Sequence, residues 1–161
     1  MNKVYTIGVI GYDAGGFFRA LQEAGVDTLI DIRRRRAVRG RDYAFANSQR
    51  LQARLAELGI GYLHRLDLAP TDSISATQRA ADEAAHVATR QRAALSPAFV
   101  AAYEREVLAG FDPQALAGAL PDGAIVALLC VEREPAACHR SLVAARLAEA
   151  LGVAVAHLTP N

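Results

Sequence analysis

The sequence predicts one three-layer α/β domain, in which helices cover both faces of a mostly parallel sheet of about five strands. Strand-like apolar runs alternate with helical segments along the chain, and this alternation is typical of parallel strands joined by right-handed crossovers. The length of 161 residues, with 52% apolar and 22% charged residues, suits one domain with a hydrophobic core. Because no repeat and no shift in composition marks a boundary, we expect residues 1–161 to form a single domain.

The first half of the chain contains three predicted strands and two predicted helices. Apolar and β-branched residues dominate the strands, whereas apolar side chains recur at helical spacing in the helices. Asp13 is a predicted N-cap, and Gly25 and Gly59 are predicted to end the two helices. The strands are predicted at residues 4–11, 26–33 and 60–66, and the helices at residues 14–24 and 47–58.

The second half begins with a stretch at about residues 67–110 that is predicted to be a helical insertion. It contains an Ala-rich, charged helix that includes His86, and a further helix that begins at Ser96-Pro97. Serine is a common N-cap, and proline fits the first helical turn. The remaining elements are a buried strand at residues 124–130, a helix at 141–152 and a last strand at 153–159.

Charge and hydropathy exclude several classes of protein. The net charge of +1 gives no overall attraction to nucleic acid or to an acidic surface, so any preference for anions must be local. No apolar run approaches the roughly 18–20 residues that span a bilayer, so no membrane partner is expected. The N-terminus starts directly with a predicted strand and lacks the pattern of a signal peptide. We therefore expect a cytoplasmic protein whose two cysteines stay reduced.

Both cysteines lie in the segment LLCVEREPAACHR, residues 128–140. Ligand sites of parallel sheets lie beyond the carboxyl ends of the strands. Cys130 ends a predicted strand there, and Cys138 lies just before a helix, whose dipole would stabilise a thiolate together with His139 and Arg140. The segment predicts a catalytic group with Cys138 as the first candidate nucleophile and Cys130 as the second. His139 or Glu132 would move protons.

The cysteine segment also allows other interpretations. Cysteine is often a buried core residue, so both thiols could be structural. A redox switch through a Cys130–Cys138 disulfide is a further alternative, and it requires the two Cα atoms to lie within about 7 Å of each other. A metal site built from Cys130, Cys138 and His139, with His64 or Glu132 as the fourth ligand, is not expected. The spacing lacks a short Cys-x2-Cys, and adjacent Cys and His residues rarely point at one ion.

A second polar cluster follows the strand-like segment LIDIR. A carboxylate inside a buried strand is costly unless it is paired, and Arg33 is the nearest partner of Asp31. This pair is predicted either to orient an anionic ligand or to form a structural ion pair. Residues 33–41 include six arginines. This loop is therefore either a candidate contact for nucleotides or nucleic acid, or a solvated loop.

Four segments resemble the DUF488 family of small bacterial and archaeal proteins, whose biochemical role is not established. They are YTIG, LIDIR, LGIGYLH and LLCVEREPAACHR, which occur in the family's order. The most specific is the family's Cys-x-Glu…Cys-His-Arg pattern, here Cys130, Glu132, Cys138, His139 and Arg140. The resemblance implies an α/β fold and places the site at these residues, and it implies no particular reaction or cofactor.

Two segments depart from the family pattern. Val9 and Ile10 stand where members typically have a His-Ser pair, and LDLAPTD replaces the usual Leu-Gly-Gly after the third strand. A weaker likeness is to rhodanese-type domains, which also carry Asp-x-Arg at a strand exit and a nucleophilic cysteine at a strand end. The loop after Cys130 is longer than the rhodanese cradle, so this likeness is an analogy at the level of the fold.

Together these observations predict a pocket at the carboxyl edge of the sheet that suits a small anionic molecule or a nucleotide. In one hypothesis a thiolate attacks an electrophilic sulfur, phosphorus or carbon atom, while Arg33 and Arg140 hold the negative charge. In the alternative, the protein is a non-catalytic module that binds the phosphates of nucleotides or nucleic acid. Asp31 would orient the ligand or the cysteine segment in either case.

Overall fold

The computed structural model describes residues 1–161 and contains one five-stranded sheet in which all strands are parallel. The strands are β1 (Lys3–Gly8), β2 (Thr28–Asp31), β3 (Gly61–His64), β4 (Ile125–Cys130) and β5 (Ala154–Leu158). Their spatial order is β3-β2-β4-β1-β5, so β4 lies at the centre of the sheet between β2 and β1. The predicted α/β fold is confirmed, and the sheet is entirely parallel.

Six α-helices cover the sheet in two layers. Side chains of the first two helices join one hydrophobic cluster on one face, and side chains of the other four join a second cluster on the opposite face. The helices are α1 (Ala14–Glu23), α2 (Ser48–Glu57), α3 (Asp72–Ala84), α4 (Pro97–Glu106), α5 (Pro113–Gly118) and α6 (Arg140–Leu151). Short 3-10 turns connect several of them, including one at Arg41–Ala46 in the arginine-rich loop.

The alternation of side chains along β4 decides which layer each functional residue faces. Val126, Leu128 and Cys130 pack with α3 to α6, whereas Ala127 and Leu129 pack with α1 and α2. The cysteines therefore lie on the α4–α6 side of the sheet. Cys138, which comes back from the following loop, joins the same cluster.

Most of the predicted helix ends are correct. The Asp13 carboxylate accepts a hydrogen bond from the Gly16 N–H, and the Ser96 hydroxyl accepts one from the Phe99 N–H. Gly25 follows α1 with a φ of +67°, a left-handed conformation that glycine adopts without strain. The strands are shorter than predicted because the residues beyond them leave the ladder and enter the loops at the sheet edge.

The helical content after β3 differs in detail from the prediction. Helix α3 ends at Ala84, and His86 lies beyond it with a φ of +56° rather than inside a helix. Helix α5 was missed, although Asp112-Pro113 is the same cap-and-proline signal as Ser96-Pro97. None of the helices is both long and apolar enough to cross a membrane.

Candidate functional site

The cysteine segment crosses the ends of β1 and β4, and a glycine makes room for it. A Cβ on Gly8 would collide with the carbonyl oxygen of Glu132 and would lie 3.0 Å from Arg140 Nη1. Arg140 is fully buried and donates hydrogen bonds to the carbonyl oxygens of Glu132 and Arg133, and its Nε lies 3.4 Å from the Thr6 hydroxyl. Arg140 therefore holds the loop in place, and its donors are used within the protein.

The sulfur atoms of Cys130 and Cys138 lie close to one imidazole nitrogen of His139. His139 Nδ1 lies 3.6 Å from Cys130 Sγ and 4.0 Å from Cys138 Sγ, and all three atoms lie within 4.8 Å of one another. His139 Nε2 lies 3.0 Å from the carbonyl oxygen of Ile32. A carbonyl only accepts, so Nε2 carries a proton, and Nδ1 is the ring nitrogen that faces the two sulfurs.

The two thiols affect each other's ionisation in opposite directions. Burial opposes ionisation of Cys138, but hydrogen bonds from Cys130 and His139, with the positive charge of Arg140, hold the pKa of Cys138 well below its usual value. The hydrogen bond to Cys138, burial and the charge on Cys138 raise the pKa of Cys130 well above its usual value. Cys138 is therefore the thiol that ionises first, although Cys130 lies nearer to the imidazole.

A cleft of about 310 Å³ opens at these sulfurs, beyond the carboxyl end of β4. Glu132 forms part of its wall, and burial and the neighbouring Cys138 raise the pKa of this carboxyl group. Arg92 binds Asp82 through a bidentate ion pair and also donates to the Ala137 carbonyl, so it ties α3 to the cysteine loop. The other lining residues are Pro70, Ser75, Gln78, Arg79, Thr89, Leu95, Phe99, Cys130, Val131, Ala137, Cys138 and His139.

The predicted Asp31–Arg33 pair lies apart from this cleft. The Arg33 side chain donates to both Asp31 oxygens at 2.9 and 2.8 Å, and the Arg33 N–H donates to Asp31 as well. Tyr62 donates a fourth hydrogen bond to Asp31 at 2.7 Å. Both charged side chains are almost completely inaccessible, and the remaining nitrogen Arg33 Nη1 is buried without a partner. Ile32, which lies between the two residues in the chain, connects the pair with the site, because its carbonyl accepts a hydrogen bond from His139.

The rest of the arginine-rich loop is divided between structural contacts and solvent. Arg34 donates to the Pro70 carbonyl, and Arg36 Nη1 lies 3.5 Å from the Tyr62 hydroxyl. Arg39 and Arg41 are exposed. Phe45, which lies just beyond these arginines, is buried against the aromatic side chains of α1.

Four of the seven predicted site residues therefore line one cleft, namely Cys130, Glu132, Cys138 and His139. Arg140 lies behind the cleft, and Asp31 and Arg33 lie to one side of it. Arg79 of α3 and Arg92, which follows this helix, also line the cleft, but neither was predicted as a site residue. The signal available in the sequence was the polar character of this segment, but no motif connects it with the cysteines, which lie about 40 residues away or more.

The family model described as "Domain of unknown function DUF488" matches residues 13–147. The chain belongs to the DUF488 family. No curated protein and no solved structure matches this DUF488 chain, and the likeness to rhodanese-type domains is not confirmed. The matched residues include the whole cysteine cleft, whereas β1 and the divergent Val9–Ile10 pair precede them.

The divergent pair of this DUF488 protein does not line the cleft. Val9 is fully buried in the hydrophobic cluster that faces α1 and α2, and Ile10 packs against that cluster. Both backbone N–H groups donate to the carbonyl of Val131, so the pair fixes the start of the cysteine loop from behind. The apolar side chains at these two positions thus contribute to packing.

Proposed function

We propose that this DUF488 protein binds small anionic molecules in the cysteine cleft and uses Cys138 as a thiolate nucleophile toward them. The observation that carries the proposal is the position of Cys138 on the cleft, where its sulfur lies beside a second thiol and an imidazole nitrogen. Buried thiols without such neighbours are inert, whereas thiols beside His and Arg are the ones that react.

The surrounding side chains support a complete transfer step. Cys138 forms a bond to an electrophilic sulfur, phosphorus or carbon atom, and the leaving group departs with the electron pair of the broken bond. Glu132, whose raised pKa favours the protonated form, then supplies a proton to the leaving group. The sequence assigned the substrate charge to Arg33 and Arg140, but both are buried, so we assign it to Arg79, which is exposed at the cleft.

A comparison of two alkylating reagents tests this proposal at pH 7 in the presence of a chelator. Iodoacetate is anionic and iodoacetamide is neutral, and both react with a thiolate to form a carbon–sulfur bond and release iodide. We expect one fast adduct, located by mass spectrometry at Cys138, which disappears in Cys138→Ser and persists in Cys130→Ser. Iodoacetate should react faster relative to iodoacetamide than it does with a small free thiol.

Arg79 and a matched arginine provide the control. Arg79→Gln should lower the iodoacetate-to-iodoacetamide ratio, whereas Arg105→Gln on the exposed surface of α4 should leave it unchanged. Equal ratios in all three proteins would refute the anion preference. Two thiols that stay unreacted in the folded protein would refute the nucleophile.

A second candidate function is supported by a separate basic groove. Arg19 of α1, Arg41 of the loop, and Arg50 and Arg54 of α2 line a cleft of about 650 Å³ with Phe18. We propose that this groove binds the phosphates of nucleotides or of a single strand of nucleic acid. Binding of a fluorescent oligonucleotide should weaken steeply with salt and should survive alkylation of both cysteines. Binding that does not change with salt would contradict this alternative.

A further inference from the structure

The reduced cysteine pair and His139 have the arrangement of a metal site. We propose that Cys130, Cys138 and His139 Nδ1 bind one thiophilic divalent cation of the Zn²⁺ class, with a fourth coordination position open to the cleft. Two soft thiolates and one imidazole form a ligand set that such ions prefer over Mg²⁺ or Ca²⁺. This inference goes beyond the proposed function, because the bound state uses Cys138 as a ligand instead of a nucleophile.

Both sulfur–nitrogen separations are close to those of tetrahedral coordination. A zinc–sulfur bond of about 2.3 Å and a zinc–nitrogen bond of about 2.0 Å at the tetrahedral angle place sulfur and nitrogen about 3.5 Å apart. The separations from His139 Nδ1 are 3.6 Å to Cys130 Sγ and 4.0 Å to Cys138 Sγ. An ion would therefore require shifts of only a few tenths of an ångström in these two separations.

The backbone explains how neighbouring Cys and His residues converge here. Cys138 is extended, with φ −140° and ψ 143°, whereas His139 is helical, with φ −63° and ψ −16°. The chain turns between them at the start of α6, and this turn brings the imidazole back over both sulfurs. Adjacent Cys and His residues rarely point at one ion, but here Cys138 Sγ and His139 Nδ1 lie 4.0 Å apart.

The contact of the other imidazole nitrogen also favours coordination. His139 donates its Nε2–H to the Ile32 carbonyl at 3.0 Å, which fixes both the tautomer and the plane of the ring. Metal-bound histidines usually make such a contact, because it orients the lone pair and increases its basicity. The packing of Tyr103 at 5.5 Å from the His139 ring holds the other side of the imidazole.

The cleft accounts for the fourth position. Three protein ligands plus one exchangeable ligand is the arrangement of catalytic zinc sites, whereas structural sites use four protein ligands. Both sulfurs and His139 line the same cleft, so water or a substrate atom would reach the ion from there. Binding converts the thiols to thiolates and releases protons to the solvent.

Titration of the reduced, metal-free protein with Co²⁺ under argon tests the inference. We expect one Co²⁺ per chain, near-ultraviolet bands from thiolate-to-cobalt charge transfer, visible bands of a tetrahedral ion, and displacement by Zn²⁺. Cys130→Ser and Cys138→Ser should each lose at least half of the charge-transfer intensity. His139→Gln should weaken Co²⁺ binding by more than about tenfold, since even outer contacts of a ligand change affinity by about 10–100-fold.

His86→Asn is the matched histidine control, because His86 is exposed and asparagine tolerates its left-handed backbone. Circular dichroism establishes that each variant is folded before the titration. The absence of charge-transfer bands in the wild-type protein would overturn the inference, and so would unchanged bands in either cysteine variant. The alkylation experiment uses chelated protein, so inert thiols together with a cobalt spectrum would refute the nucleophile alone.

Discussion

Replacement of Asp31 by Asn should destabilise the protein strongly, although the two side chains have nearly the same shape. Asp31 accepts four hydrogen bonds, three from Arg33 and one from Tyr62, and the exposed fractions of the two charged side chains are 0% and 1%. The amide keeps part of this network but removes the counter-charge. A buried pair that loses one partner typically costs about 3–5 kcal/mol, because the other charge stays buried.

Urea denaturation at pH 7 measures this cost. With an m-value of about 2 kcal/mol/M, the expected loss lowers the urea midpoint by about 1.5–2.5 M without changing m. The double variant Asp31→Asn/Arg33→Met removes both charges and keeps the apolar stem of the arginine. It should be more stable than Asp31→Asn alone, because no charge then remains buried without a partner.

The exposed pair Arg54–Glu57 provides the control. Its side chains are 49% and 66% exposed, so Glu57→Gln should change the free energy of unfolding by no more than about 1 kcal/mol. If Asp31→Asn were as mild as Glu57→Gln, the argument from burial would be wrong. A double variant less stable than Asp31→Asn would likewise contradict it.

Three further predictions concern other parts of the site. Gly8→Ala should lower the free energy of unfolding by about 1–3 kcal/mol or more, because the added Cβ collides with the backbone of the cysteine loop. The melting temperature should fall, and an unchanged value would refute this prediction. Tyr103→Phe should cost about 1–3 kcal/mol in urea denaturation, because it leaves the buried Leu68 carbonyl without its 2.6 Å hydrogen bond. The hydrogen bonds from Arg92 lower the pKa of Asp82 below 3.8, so this ion pair stabilises the fold above about pH 4 and its contribution disappears as the pH falls through the lowered pKa. Asp82→Asn should therefore flatten the acid side of the pH–stability curve, and an unaltered curve would contradict the assignment.

The order of the elements and the position of both cysteines at one edge of the sheet follow from local signals in the sequence. The apolar runs, Asp13, Ser96-Pro97 and Gly25 are local signals, because propensity and capping depend on nearby residues. The carboxyl-edge rule brought Cys130 and Cys138 to the same end of the sheet, and the structure places both on one cleft. The signal Asp112-Pro113 is equally local, but it was missed.

The role of each polar side chain depends on contacts that form only in the folded chain. Arg140 and Arg33 are the same residue type as Arg79, but both are buried and hydrogen-bonded to other parts of the protein, whereas Arg79 lines the cleft. Helix α3 forms one wall of the cleft because the fold brings it next to the cysteine segment, which is distant from it in sequence. The convergence of His139 on two sulfurs depends on a turn and on the Ile32 carbonyl, 107 residues away. These contacts join residues that are far apart in the sequence, and they require precise side-chain positions. The spacing of residues in the sequence therefore does not predict them.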